Sequence, residues 1–137
     1  MSESRKAHEC ILAVVGSTYD RANRATVEAV QQAIREAFDR HDPRGFVSGG
    51  ARGVDSWAAA EAYRRGMTAS DVHEYLPLHK RWAPQGFKDR NIIVATEAEC
   101  LVRIYDPGSR TYGSGFTADR ARELGRPVEL VVVARQI

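Results

Sequence analysis

Apolar residues in this chain fall into short unbroken runs that alternate with longer stretches of three- and four-residue spacing. Cys10-Ile-Leu-Ala-Val-Val15 is apolar throughout and stops at Gly16-Ser17. Such a run, bounded by turn residues, predicts a strand buried on both faces. Val27, Val30, Ile34 and Phe38 then recur at helical spacing, which predicts a helix over residues 25–38. His41-Asp-Pro-Arg-Gly45 ends it, because proline cannot continue a helix. Phe46-Val47-Ser48 predicts a second strand, and the alanine-rich helix beyond Gly53 runs to Arg65, with Gly66 as its C-terminal stop. Residues 72–76 read as a third strand carrying polar His73 and Glu74. Pro84 is expected to open a third helix over 85–98, since its missing N–H costs nothing in a first turn. Residues 101–105 form the fourth strand and 114–124 the fourth helix, ended by Gly125 with Pro127 beyond. The fifth strand is expected over 128–133.

Strict strand–helix alternation with right-handed crossovers gives a mostly parallel five-stranded sheet covered by helices on both faces, a three-layer α/β/α architecture. The first strand is the most apolar and belongs at the centre, while the strands carrying Glu74 and Glu129 suit the edges. The expected order is 3-2-1-4-5. Arg103 interrupts the fourth strand and is expected to reach a sheet end or pair with an acid such as Glu129. Residues 1–9 read as an N-terminal tail and 10–137 as a single domain.

Composition narrows the picture. The 137 residues are 43% hydrophobic and 28% charged, an ordinary soluble balance for one domain. Twenty Lys and Arg against 18 Asp and Glu leave +2, too little to argue for a nucleic-acid or membrane partner. No apolar run approaches the roughly 20 residues of a membrane span, and no signal-peptide stretch precedes the first strand. The expectation is a soluble, cytoplasmic protein. Cys10 and Cys100 are too few for a disulfide framework or a zinc site, and read as small core residues of neighbouring strands rather than a redox pair. His8, His41, His73 and His79 lack metal-ligand spacing and read as surface or edge residues. No metal or cofactor is expected.

Three loops should converge beyond the carboxyl ends of the strands, where open α/β sheets bind ligands. They are Gly16-Ser17-Thr18, the segment Ser48-Gly-Gly-Ala-Arg-Gly-Val-Asp55, and the segment from Asp106 to Gly115 that contains Ser109, Gly113 and Ser114. Gly49, Gly50 and Gly53 permit positive φ and close ligand approach, and the amides of the next helix then face an anion. Phosphate fits that geometry best. The alternative is that these glycines only make a tight turn. Asp55 repels phosphate, so it would accept from a ribose hydroxyl or brace Arg52 and the loop amides. The loop is neither a Walker A sequence nor a GxGxxG fingerprint. Arg90 and Asn91, in Lys88-Asp-Arg-Asn91, lie early in the third helix; Arg90 would contact phosphate or steady a leaving group, unless the run is simply a solvated face. Trp82 and Phe87 would stack on a base or serve as lid packing. Gly113-Ser114-Gly115 is no nucleophile elbow, because the GxSxG pattern is absent.

Taken together, Val15-Gly-Ser, Val47-Ser-Gly-Gly-Ala-Arg-Gly-Val-Asp55, Gly86-Phe-Lys-Asp-Arg-Asn91 and the Gly/Ser-rich loop before Gly125-Arg-Pro-Val128 resemble the SLOG superfamily over nearly the whole chain. The similarity is to its small YspA-like, YpsA-related branch, with the Lonely Guy phosphoribohydrolases and the DNA-processing protein DprA as distant relatives. The resemblance implies a Rossmann-like fold, a site for nucleotides or nucleotide-derived ligands, and homo-oligomers. Gly49, Gly50, Gly53 and Asp55 match the superfamily's Gly-Gly-x-x-Gly-x-Asp loop, and Arg90 falls where the phosphoribohydrolases have a functional arginine. Gly113-Ser114 replaces their Gly-Thr, and Thr117 stands where their catalytic glutamate would be, with Asp119 two residues on. Thr18 stands where close relatives often carry arginine. These departures weigh against hydrolase activity and leave nucleotide binding intact.

The first expectation is therefore a nucleotide-ligand binding module, a sensor or sequestering protein. The second is an enzyme cleaving a base–ribose bond, with Arg90 and an acid (Asp55, Asp89 or Asp119) stabilising an oxocarbenium-like state and activating water. The third is DprA-like binding of single-stranded DNA, against which the near-neutral charge argues.

Overall fold

The computed structural model describes residues 10–109 and 113–136, so the expected tail lies outside the described residues. The chain runs β1 (Ile11–Gly16), α1 (Arg24–His41), β2 (Gly45–Ser48), α2 (Val54–Arg64), β3 (Val72–Glu74), α3 (Phe87–Glu97), β4 (Cys100–Tyr105), α4 (Gly113–Glu123) and β5 (Val128–Val132). All five strands are parallel, in the order β3-β2-β1-β4-β5. This is the Rossmann-like order expected from the strand polarity.

Strand alternation sorts the core into two layers. Leu12 and Val14 face one side with Phe46, Val102 and Ile104, where Val30, Ile34 and Phe38 of α1 and Ala58 and Ala62 of α2 cover them. The Phe38 and Phe46 rings, 5.5 Å apart, fill much of that layer. Ala13, Val15, Val47 and Leu101 face the other side, against Val94 and Ala95 of α3 and Ala118 and Ala121 of α4. Alanine there lets α3 and α4 lie close to the sheet. Each large side chain so buried contributes roughly 1.5–3 kcal/mol. Among the described residues no helix is long and apolar enough to cross a membrane.

Several expectations need correcting. Pro84 does not open α3: Gln85 takes φ 67°, a left-handed conformation, so the helix begins only after Gly86. β3 stops at Glu74, and Leu76 is exposed. Arg103 does not meet Glu129. Val102 is the register partner of Glu129 and Arg103 that of Leu130, so the two charges point to opposite faces. Arg103 instead donates to Ser114 Oγ at 2.9 Å and stacks on Tyr105, while Glu129 pairs with Arg40 at 2.9 Å. Finally, Cys10 and Cys100 are not separate core residues but a disulfide, with Cα atoms 6.5 Å apart. Leu12 lies opposite Cys100 in the parallel ladder, and period two puts Cys10 on the same face as Leu12. The two sulfurs therefore meet at the amino end of the sheet.

Candidate functional site

At the opposite, carboxyl end of the sheet, β1 ends among the starts of α2, α3 and α4. A cavity of about 340 Å³ opens there. Its apolar walls are Val15, Trp82, Phe87 and Val94; its polar groups come from Thr18, Asp55, Arg90, Asn91, Ser114 and Thr117, and glycine or alanine backbone at 16, 49, 51 and 113 completes the lining. That size falls within the usual range for small-molecule sites, which pair apolar walls with a few directed polar groups.

The glycine bend forms one side. Gly50 and Gly53 both hold positive φ, 71° and 79°, as a sharp turn out of β2 requires. A Cβ on Gly53 would collide with the backbone of Thr18, so the bend and the β1–α1 loop lie in direct contact. Ser48 Oγ accepts from the Gly50 amide at 3.0 Å, and Asp55 Oδ2 from the Ala51 amide at 3.4 Å. Two bend amides thus have internal partners, and at the start of α2, which Gly53 leaves without a side-chain cap, the Val54 amide donates to the Ser17 carbonyl at 3.4 Å. An uncapped helix start presents amide hydrogens and the positive end of the helix dipole.

Arg90 closes the site from α3. Although charged, it is only 8% exposed. Its Nη1 donates to the Gly49 carbonyl and its Nε to Asn91 Oδ1 at 2.6 Å; Asn91 Nδ2 in turn donates to the Gly113 carbonyl at 3.2 Å. Thr117 Oγ1 donates to that same carbonyl at 3.0 Å. A chain of hydrogen bonds therefore ties the bend to α3 and α4. These contacts use two of the guanidinium's five N–H donors. The Phe87 ring lies 5.2 Å from the guanidinium carbon, and Trp82 packs edge-on against Phe116 at 4.8 Å. α3, like α2, starts without a side-chain cap.

The electrostatics centre on Asp55. Burial pushes its carboxyl up to about 7, opposed by Arg90 and the Ala51 amide and aided by Glu74. Burial likewise lowers Arg90 from its ordinary value, with Asp55 opposing. Burial thus disfavours the ionised form of Asp55 even with the Arg90 guanidinium nearby.

Of the expected ligand-binding residues, Gly16, Gly49, Asp55, Arg90, Asn91, Gly113 and Ser114 line the cavity together. Ser17, Ser48, Gly50, Arg52, Gly53 and Ser109 do not. Ser17 Oγ accepts from the Asp106 amide at 3.1 Å, and the Ser109 amide donates to the Asp106 carbonyl at 2.9 Å, so both shape the β4–α4 loop. Arg52 turns outward to Asp20 at 3.4 Å, leaving Asp55 to brace the Ala51 amide instead. Residues 110–112, part of the expected second anion contact, lie outside the described residues. Asp119 pairs with Arg122 on α4, and Asp89 accepts from the Gln85 amide at 2.6 Å; neither lines the cavity. Of the remaining lining residues, the sequence places Thr18 and Ala51 only within the converging loops and Thr117 only at a motif position, and it does not single out Val15 or Val94. Thr18 had a signal in its place beside Gly16-Ser17, and Thr117 in its helical spacing from Gly113. Neither a scan against protein-family models nor a search of curated proteins finds a match for this chain.

Proposed function

We propose that this protein binds a nucleotide or nucleotide-derived small molecule, as a cytoplasmic sensor or sequestering module of the SLOG type that works as a homo-oligomer. The observation that carries the reading is the meeting of the α2, α3 and α4 starts, Arg90 and an aromatic wall around one cavity. Helix starts and a guanidinium favour phosphate. Trp82 and Phe87 offer flat apolar surface to a base, and Asp55 and Asn91 offer hydrogen bonds to a sugar.

The test is thermal stability with a panel of nucleoside mono-, di- and triphosphates, since a ligand selective for the folded state raises Tm by mass action. Nucleoside monophosphates at millimolar concentration are expected to raise Tm by several degrees, and Trp82→Ala to remove most of that shift while lowering the ligand-free Tm only modestly, because Trp82 is 49% exposed and packs chiefly on Phe116. No shift across the panel would reject the reading.

One observation favours a second reading, cleavage of the base–ribose bond. Asp55 is a buried carboxyl raised to about 7 inside the cavity, a setting suited to proton transfer at neutral pH. Release of free base from a nucleoside monophosphate, lost in both Asp55→Asn and Arg90→Ala, would establish it. Binding without base release would leave the protein a binding module.

A further inference from the structure

A second group of reactive side chains sits at the amino end of the sheet, away from the cavity. Cys10 precedes β1, Cys100 opens β4 and His41 closes α1. Both Sγ atoms and a ring nitrogen of His41 lie within 4.8 Å of one another. Elements far apart in sequence build this cluster. The β1–β4 register sets the cysteines side by side, and α1 continues about one turn past Phe38 to deliver His41. The imidazole is also held in place: Nε2 lies 3.2 Å from Glu129 Oε1, and Arg40 fixes the same carboxylate at 2.9 Å. A carboxylate on one ring nitrogen is how metal-bound histidines are commonly oriented.

We propose that Cys10, Cys100 and His41 form a redox-gated site for a zinc-class divalent cation, of which the disulfide is the oxidised, closed form. Two thiolates and an imidazole make a soft-to-borderline donor set that suits zinc rather than magnesium or calcium. Two thiolate charges match the dication, and water takes the fourth tetrahedral position. Opening the site transfers two electrons and two protons from a dithiol reductant, which becomes a disulfide in turn. Each thiol then loses its proton as a sulfur–metal bond forms. Closing reverses this: a disulfide oxidant takes up two electrons, the Cys10–Cys100 bond forms and the cation leaves.

The full chain, reduced with a phosphine and handled without oxygen, is titrated with Co²⁺ as an optical probe. One equivalent should give a thiolate-to-cobalt charge-transfer absorption with the visible bands of tetrahedral cobalt, and one equivalent of Zn²⁺ should abolish them. The oxidised protein should give neither signal. His41→Ala, which keeps both cysteines, should weaken binding roughly tenfold or more. Absence of the charge-transfer band in reduced, folded protein overturns the proposal, as does cobalt binding of unchanged affinity in His41→Ala. If reduction unfolds the chain, restoration of native circular dichroism by Zn²⁺ supports the site, and failure to restore it overturns the site.

Discussion

Asp55 is a carboxyl that the bend needs as an acceptor and that burial discourages from ionising. Its native value of about 7 lies well above its ordinary 3.8, so the sign of its linkage to stability is fixed. Between about pH 4 and pH 7 the folded chain holds a proton that the unfolded chain has released. Stability from this group is complete below the lower value and falls as pH rises toward the higher one. Asp55→Asn keeps an oxygen for the Ala51 amide and removes the titration. In urea unfolding it should exceed wild type by on the order of 2–4 kcal/mol at pH 8 and differ little near pH 4. A wild-type and variant difference that stays flat across that range would show that Asp55 ionises normally. This residue also marks how far single positions could be read. That Asp55 braces a loop amide follows from its place at a strand-to-helix junction, whereas the outward turn of Arg52 depends on Asp20, a partner on another loop.

Helices and strands were legible wherever period decided the matter, as with Val30, Ile34 and Phe38 on α1 or Leu12 and Val14 on β1. Boundaries escape the sequence where a single backbone angle decides instead: Gln85 at φ 67° delays α3 past Pro84 to Phe87. Glycines show the same division between local and tertiary demands. Gly66 after α2 has φ 98° and open space around it, while Gly53 before α2 has φ 79° and the Thr18 backbone against it. Gly66→Ala should therefore lose only the left-handed penalty, about 1–2 kcal/mol. Gly53→Ala adds a collision that cannot relax without moving the bend from the β1–α1 loop, and should lose ~3 kcal/mol or more. It should also abolish any nucleotide-induced rise in Tm, which Gly66→Ala should retain. Equal urea midpoints for the two variants would mean that the contact with Thr18 is not tight in solution.

At the scale of the whole molecule, sheet order followed from strand composition, because charges on β3 and β5 belong at edges. The cysteine pairing did not follow, since it depends on the register of β1 against β4 and on which face each cysteine takes. Strand order alone puts Cys10 and Cys100 on neighbouring strands; register and facing bring their sulfurs together across a sequence separation of 90 residues. A cross-link of that span restricts the unfolded chain far more than the folded one. Loop-closure entropy puts the stabilisation near 4–5 kcal/mol, with native strain able to reduce it. Oxidised protein should accordingly unfold at a clearly higher urea concentration than reduced protein. Cys100→Ser should match the reduced wild type whether or not reductant is present. Zinc should then raise the midpoint of reduced wild type in a concentration-dependent way, as mass action requires, and leave Cys100→Ser nearly unmoved. Urea midpoints that coincide for oxidised and reduced wild type would mean that the cross-link does not form in solution. A zinc effect equal in wild type and Cys100→Ser would place the cation elsewhere on the molecule.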